Sequence, residues 1–517
     1  MRIKRFFLNA AILAGTSLFM RTVSVSFNVY ITSKIGAAGM GLFSLIMSVY
    51  TLAVTFACSG ISLATTRLCA EYIAKNDTEG AKRTVRCCSL YSIVFGTAAS
   101  VILFFGARYI GCTWLGDERT VASIRLLSLS LVPLSLSSVL SGYFTAVRRV
   151  AKTAAAGLFE QLLKIALTAL FLRLISFRGM EYACLALVGG STVSELCSFF
   201  LALILYLFDR RRDLGAKKQK DAPGYTNVFR RMLLVSLPVA VSAYVRSGLL
   251  TLEHVLIPRG LKSSGASAER ALAAYGTIHG MVFPVILFPS ALLGAISGLV
   301  VPELTEMGAR GQPQSTARTI GRALRYTLLF AIGAAGAISH LATEIGLCFY
   351  DSREAARYIK VFCVLVPVMY LDGIVDGILK GLGEQVASMR YNIADSAISV
   401  ILVYTLLPDM GIDGYIITVF VTELLNSTLS LHRLLSVCPV KIRIVQWVLK
   451  PLLCAVGAAN LGEVIFKVAN IRFSFDYVSL AVRIAVFAIL YLAFAQSVGS
   501  LDVKSIVRRA RGLREVG

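Results

Sequence analysis

Apolar residues along this chain come in blocks of about 20, the length at which an α-helix crosses the hydrocarbon core of a bilayer. The blocks predict spans near residues 6–32, 40–63, 85–106, 123–146, 153–172, 182–207, 232–257, 274–301, 323–342, 358–379, 389–407, 414–436, 447–466 and 477–498. The pattern is that of an all-α polytopic membrane protein with 14 transmembrane helices. An even number puts both termini on one side. The first block follows the basic residues 1–5 and contains Arg21. It is longer and more polar than the uncharged, about 7–15-residue core of a signal peptide, so it reads as a retained span.

The polar residues between blocks fix the orientation. Lys and Arg divide 34 to 13 in favour of the side that carries the termini. The positive-inside rule therefore puts both ends in the cytoplasm of a bacterial, inner-membrane-type protein. The longest cytoplasmic connection, 209–231, holds Arg210, Arg211, Arg212, Lys217 and Lys218, then Pro223 and Gly224. It divides an N-terminal lobe, 1–208, from a second lobe, 232–436, with two more spans in 437–498. The tail, 499–517, is basic and is expected to lie on anionic lipid as a short amphipathic helix.

The two lobes resemble each other. Ser17, Arg21 and Asn28 in span 1 share a helical stripe within about 60°. An offset of 225 gives Ser242, Arg246 and Glu253 in span 7. Leu131, Val132 and Pro133 before Gly142 in span 4 match Leu365, Val366 and Pro367 before Gly377 in span 10. Glu160 then matches Asp395. Order, spacing and span number are all kept, which indicates a six-plus-six duplication. Because six is even, the lobes are expected to be related by an axis along the membrane normal, with the substrate pathway between them.

Charge inside the spans is the main functional signal. An ionised residue at a helix centre costs about 2.5–3.5 kcal/mol on insertion scales, so it faces protein or water. Arg21 and Arg246 sit at matching depth, and Lys164 lies within span 5. With Ser17, Ser24, Asn28 and Glu253 they are the candidate lining of a cationic cavity for an anion, since guanidinium forks suit phosphate oxygens. The competing reading pairs Arg21 or Arg246 with Glu195, Glu253 or Asp372, and Lys164 with Glu160 at the favourable i, i+4 spacing. Asp372 with Asp376, Asn392 with Asp395, and Glu423 with Asn426 each share a helix face. They read either as a site coupling sodium ions or protons to transport or as hydrogen-bonded packing groups. Pro238, Pro284, Pro289 and Pro367 bend their spans.

The totals remove other classes. The chain is 56% hydrophobic and 16% charged, with a net charge of +23. Its basic residues recur between spans rather than on one folded face, which argues against nucleic-acid binding. The 11 cysteines are scattered and have no metal-ligand spacing, and His254 and His279 read as packing or cavity residues. No phosphate-cradling, metalloprotease or nucleophile-elbow motif occurs. An enzyme, a cofactor and a metal centre are therefore not expected.

Lys34, Gly36, Gly39 and Gly41, then Ser59, Gly60, Ile61, Arg67 and Glu71, stand in a run that resembles the stage V sporulation protein B family. So do Pro258 and Arg259, Tyr275 through Met281, Phe288 through Ser290, Pro302 and Glu303, and Lys380 through Gly383. That family belongs to the multidrug/oligosaccharidyl-lipid/polysaccharide (MOP) flippase superfamily and is related to lipid II flippases. The resemblance implies a MATE-like fold of two pseudo-symmetric six-helix lobes plus two C-terminal helices, working by alternating access. It implies an undecaprenyl-linked saccharide as cargo and a place in peptidoglycan or spore cortex synthesis. In lipid II flippases, arginines of spans 1, 2 and 8 line the cavity. Arg21 is the counterpart on span 1, whereas spans 2 and 8 here lack a mid-membrane arginine, Arg67 being at the cytoplasmic end of span 2. Some relatives bind sodium among spans 7, 11 and 12, for which Glu253, Asp395 and Asn426 are the candidates.

The leading expectation is a flippase for an anionic lipid-linked saccharide in the cytoplasmic membrane. A cation-coupled multidrug antiporter and a non-transporting scaffold for envelope-synthesis enzymes are the alternatives. The antiporter calls for a carboxylate in the first lobe's cavity where span 1 offers Arg21. The scaffold would not need a doubled polar stripe.

Overall fold

The structure is a computed structural model of the 517-residue chain. It describes residues 2–75, 77–175, 177, 179–213, 225–468 and 477–501. The centre of the basic linker and the tail from residue 502 lie outside these residues. Every regular element among the described residues is helical. In chain order the α-helices are α1 (Arg2–Cys58), α2 (Ile61–Ala74), α3 (Thr78–Tyr109), α4 (Val121–Ser128), α5 (Leu131–Ala146), α6 (Val150–Ile175) and α7 (Met180–Asp213). There follow α8 (Tyr225–Ser263), α9 (Ala268–Gly276), α10 (Phe283–Ile286), α11 (Ser290–Ala309), α12 (Pro313–His340) and α13 (Ala342–Tyr350). The last are α14 (Arg353–Phe362), α15 (Val366–Gly381), α16 (Gln385–Met410), α17 (Ile412–Val437), α18 (Lys450–Val468) and α19 (Tyr477–Ser497).

Local chemistry sets the breaks. The first two expected spans both fall on α1, which is kinked at Gly36 (φ 69°, ψ −178°), a backbone conformation that only glycine adopts without strain. Gly60, with φ 77°, turns the chain from α1 into α2. The Asp77 carboxylate accepts from Gly80 N at 2.7 Å and so caps α3. The fourth expected span is bent by 45° between α4 and α5. The eighth is divided into α9, a π-helical turn (Thr277–Val282), α10 and α11. Pro284 and Pro289 withhold backbone donors there.

Among the described residues nine helices are long and apolar enough to cross a membrane, or eleven if each of two bent pairs is one span. The first of these, Phe19–Ala74, has 56 residues, more than twice the length of one crossing. The chain is a multi-pass membrane protein.

The helices group into two compact units. The first comprises Met1–Ala37, Ala274–Leu402 and Met410–Gly517; the second comprises Ala38–Ala273 and Val403–Asp409. Sequence order would put the start of α1 with the N-terminal helices and α8 with the later ones. Contacts group each with the other set. In the second unit α8 packs on α2 and α3 around a core that includes Ile61, Leu68, Tyr143, Tyr206 and Met232. Tyr143 and Tyr206 meet edge to face with ring centroids 5.0 Å apart. In the first unit α12, α18 and α19 enclose Ile332, Cys454, Phe487 and Tyr491. The Tyr491 hydroxyl donates to Leu329 O at 2.7 Å. A Cβ on Gly333 would lie 2.5 Å from the Tyr491 ring, so glycine is what lets α12 and α19 approach.

Candidate functional site

In the first unit Arg21 stands on α1, half-buried, with a buried Nε that has no hydrogen-bond partner among the described residues. Its guanidinium acts electrostatically on the Tyr370 hydroxyl of α15, which donates to Ile286 O at 2.6 Å. Ser24 and Asn28 on the same stripe are also half-buried. Thr32 donates to the Asn28 carbonyl at 2.9 Å. The side chain of Ser17 lies outside the described residues.

The acids of α15 accept from neutral donors of α16 and α17. Asn426 Nδ2 on α17 donates to Asp372 Oδ2 at 3.1 Å. The Ser388 hydroxyl, on α16, donates to Asp376 Oδ1 at 2.7 Å, and Asn392 Nδ2 lies 3.3 Å from Asp376 Oδ2. Asn392 also donates to Ser388 O at 2.9 Å. Asp395 is half-buried one turn beyond Asn392. The structure thus joins Asp372, Asp376, Asn392 and Asn426 across three helices, and the Oδ1 atom of Asn426 is buried with no donor to it among the described residues. Among the described residues no group of three or more His, Cys, Asp or Glu is placed to hold a metal ion.

In the second unit Arg246 projects from α8 as an exposed residue. Ser242, one turn earlier, donates to Pro238 O at 3.1 Å. Glu253 and His254 are half-buried farther along α8. Lys164 and Glu160 on α6 are electrostatic neighbours, and Glu160 also feels the charge of Glu195. Glu195 in turn accepts from the Tyr50 hydroxyl at 2.6 Å, and Tyr50 lies 2.6 Å from Ser130 Oγ.

These partners bear on the two readings of the intramembrane charges. Neither Arg21, Arg246 nor Lys164 is within ion-pair distance of an acid among the described residues. Of the acids considered as their counterions, Glu195 accepts from the Tyr50 phenol and Asp372 from the Asn426 amide.

Sequence patterns missed three of these features. Tyr50, in the apolar run of span 2, carries no mark that it serves Glu195. The signal available was the acid itself, since a buried carboxyl needs donors. His279 Nε2 lies 2.8 Å from Tyr415 OH, and the His279 ring packs on Tyr275 at 4.6 Å. Arg259, of the Pro258–Arg259 pair, reaches the carbonyl oxygens of Thr113 and Trp114 at the end of the π-helical turn Ile110–Leu115. It satisfies acceptors that the turn leaves over.

A bundle of long apolar helices carrying guanidinium groups and half-buried, amide-bonded acids defines a multi-pass integral membrane protein. Residues 7–307 match the polysaccharide biosynthesis protein family, and residues 264–405 match the MatE family. The first match spans more than half of the chain, which therefore belongs to the polysaccharide biosynthesis protein family. The chain is 23% identical over 446 residues to stage V sporulation protein B of Bacillus subtilis (strain 168), covering 86% of each. It is 24% identical over 463 residues to the lipid II flippase MurJ of the same organism, covering 80% of this chain and 84% of that protein. A solved lipid II flippase MurJ in an inward closed conformation superposes with a TM-score of 0.68 at 13% identity, over 95% of this chain and 98% of that one. The fold is that of the MOP superfamily.

Proposed function

We propose that this protein flips a lipid-linked saccharide precursor, of the lipid II kind, across the bacterial cytoplasmic membrane by alternating access. In this reading it has fourteen spans, with two pseudo-symmetric lobes at 1–208 and 232–436, a basic linker at 209–231, and two further helices in 437–498. Both termini are cytoplasmic and the chain performs no chemistry on its cargo. Arg21 and Arg246 receive the diphosphate oxygens of the lipid carrier, Lys164 adds charge, and Ser17, Ser24, Asn28 and Glu253 offer hydrogen bonds to sugar or phosphate. Support comes from the nine to eleven helices able to cross a membrane among the described residues and from the lipid II flippase among the relatives. The observation that carries the reading is that Arg21 and Arg246 form no ion pair among the described residues, although acids are available.

The test is translocation of labelled lipid II, and of a teichoic-type lipid-linked precursor as a second cargo, in proteoliposomes. Movement of either that is lost in Arg21→Ala fits the reading. Movement of neither by a folded preparation sinks it.

The acids of α15 and α16 and the MatE match over 264–405 favour one second reading, cation coupling. Asp372, Asp376, Asp395 and Asn426 then bind or release sodium ions or protons as the carrier cycles, and in the extreme form the cargo is a cationic drug. Dye efflux that persists in Arg21→Ala would select the drug antiporter over the flippase.

A further inference from the structure

A cavity of about 460 Å³ opens among the C-terminal end of α12, the start of α13, the last turns of α18 and the first turns of α19, all in the first unit. None of its residues belongs to the arginine stripe or to the acids of α15 and α16. Its lining combines aromatic faces (Phe466, Phe487), cations (Lys467, Arg483), an acid (Glu463) and the ring of His340. These groups are arranged about one another. Arg483 is held by Glu344 at 2.5 Å and lies 5.6 Å over the Phe466 ring. Lys467 stands 3.8 Å from one Glu463 oxygen, and His340 Nδ1 stands 4.0 Å from the other. His340 also stacks on Phe487 at 6.3 Å.

Two features identify what such a cavity takes. The flanks of α18 and α19 beside it expose Val464, Val468, Tyr477, Val478 and Val482, so the opening adjoins apolar surface suited to hydrocarbon. The charges inside nearly cancel, because Glu344 balances Arg483 and Glu463 balances Lys467. A doubly anionic group is poorly matched there. A group with one phosphate and one ammonium, close together, is matched at both ends: guanidinium and ammonium donors for phosphate oxygens, a carboxylate for the amine.

We propose that this cavity binds the headgroup of a zwitterionic phospholipid. Lys467 and Arg483 take its phosphate, Glu463 takes its ammonium, and its acyl chains run along α18 and α19. The orientation proposed above places this end of the helices in the outer leaflet; only the choice of leaflet rests on that reading.

The experiment is native mass spectrometry of the full-length protein, titrated with phosphatidylethanolamine or with phosphatidylglycerol of the same chains. Glycerophosphoethanolamine serves as a competitor without chains. The wild type is expected to retain phosphatidylethanolamine about tenfold better than phosphatidylglycerol, the factor attached to one charge-assisted contact. The Glu463→Gln/Lys467→Ala double variant is expected to lose that preference. Its side chains are 55% and 80% exposed, so the fold does not depend on them. Equal retention of the two lipids, or a double variant that still discriminates, overturns the proposal. Glycerophosphoethanolamine competing as well as the lipid overturns its assignment to the bilayer. Lipid II translocation by the same preparation separates the two claims. Selective lipid binding without translocation sinks the flippase reading alone, and translocation without selective binding sinks this one alone.

Discussion

Asn426 gives its amide to Asp372 across 3.1 Å, so an uncharged residue of α17 is the partner of an acid on α15. Asp376, one turn on, is served in the same way by Ser388 and Asn392 of α16. Amide and hydroxyl donors bond a carboxyl in either protonation state, whereas an arginine partner would favour the ionised one. Replacing Asn426 by Ala removes the donor and is expected to lower stability by about 1–3 kcal/mol. Thermal unfolding of the purified protein in detergent measures this. Asp372→Asn, which keeps an acceptor for Asn426, is expected to cost less.

Arg21 governs the second prediction. Arg21→Ala should cut translocation of a lipid-linked diphosphate at least about tenfold, since one charge-assisted contact to phosphate is worth that factor. Arg21→Lys keeps the charge but not the fork and should fall between. Because Arg21 makes no ion pair among the described residues, the melting temperature should hardly move in either variant. A large fall in melting temperature would make Arg21 a structural residue.

Gly60 is a packing requirement as well as a turn. Its φ is +77°, and an added Cβ would come within 2.5 Å of Ser236 O on α8. Gly60→Ala combines left-handed strain with backbone overlap and should destabilise by roughly 2–4 kcal/mol. The same melting assay checks it. Gly36→Ala meets no atom within 4 Å and carries the dihedral strain alone, so its effect should be smaller.

The loop before α4 offers a pH test. Burial alone would raise the Asp117 carboxyl, but hydrogen bonds from the Arg119 side chain and backbone outweigh it and hold the carboxyl below its usual range. Its folded pKa is depressed, so its stabilisation is present above the unfolded value and is lost as pH falls through the folded one. Arg119 is substantially exposed, which limits the effect to less than about 1 kcal/mol. The difference in melting temperature between wild type and Asp117→Asn should be present at neutral pH and vanish in acid. A difference that grows on acidification would refute this.

What the sequence reveals follows from the range of each interaction. The helical, multi-pass character is legible because bilayer thickness imposes a period on apolar residues, and nine to eleven helices among the described residues are long and apolar enough to cross. Arg21 is legible because an intramembrane charge is costly wherever it sits. Pairings between helices are not. Asp372 and Asp376 look like a pair along α15, yet their partners are Asn426 on α17 and Ser388 and Asn392 on α16, 54, 12 and 16 residues away. Tyr50 and Glu195 are 145 residues apart. The π-helical turn at Thr277–Val282 has no local mark either, since it needs only one residue more per turn than its neighbours.

The grouping of α8 with α2 and α3, and of residues 1–37 with Ala274–Leu402, limits how this chain can be divided. A cut in 209–224 separates α8 from α2 and α3, on which it packs in a shared core. Chimeras between relatives that swap everything before the cut would set α8 of one parent against α2 and α3 of the other, a seam packed by sequences that never evolved side by side.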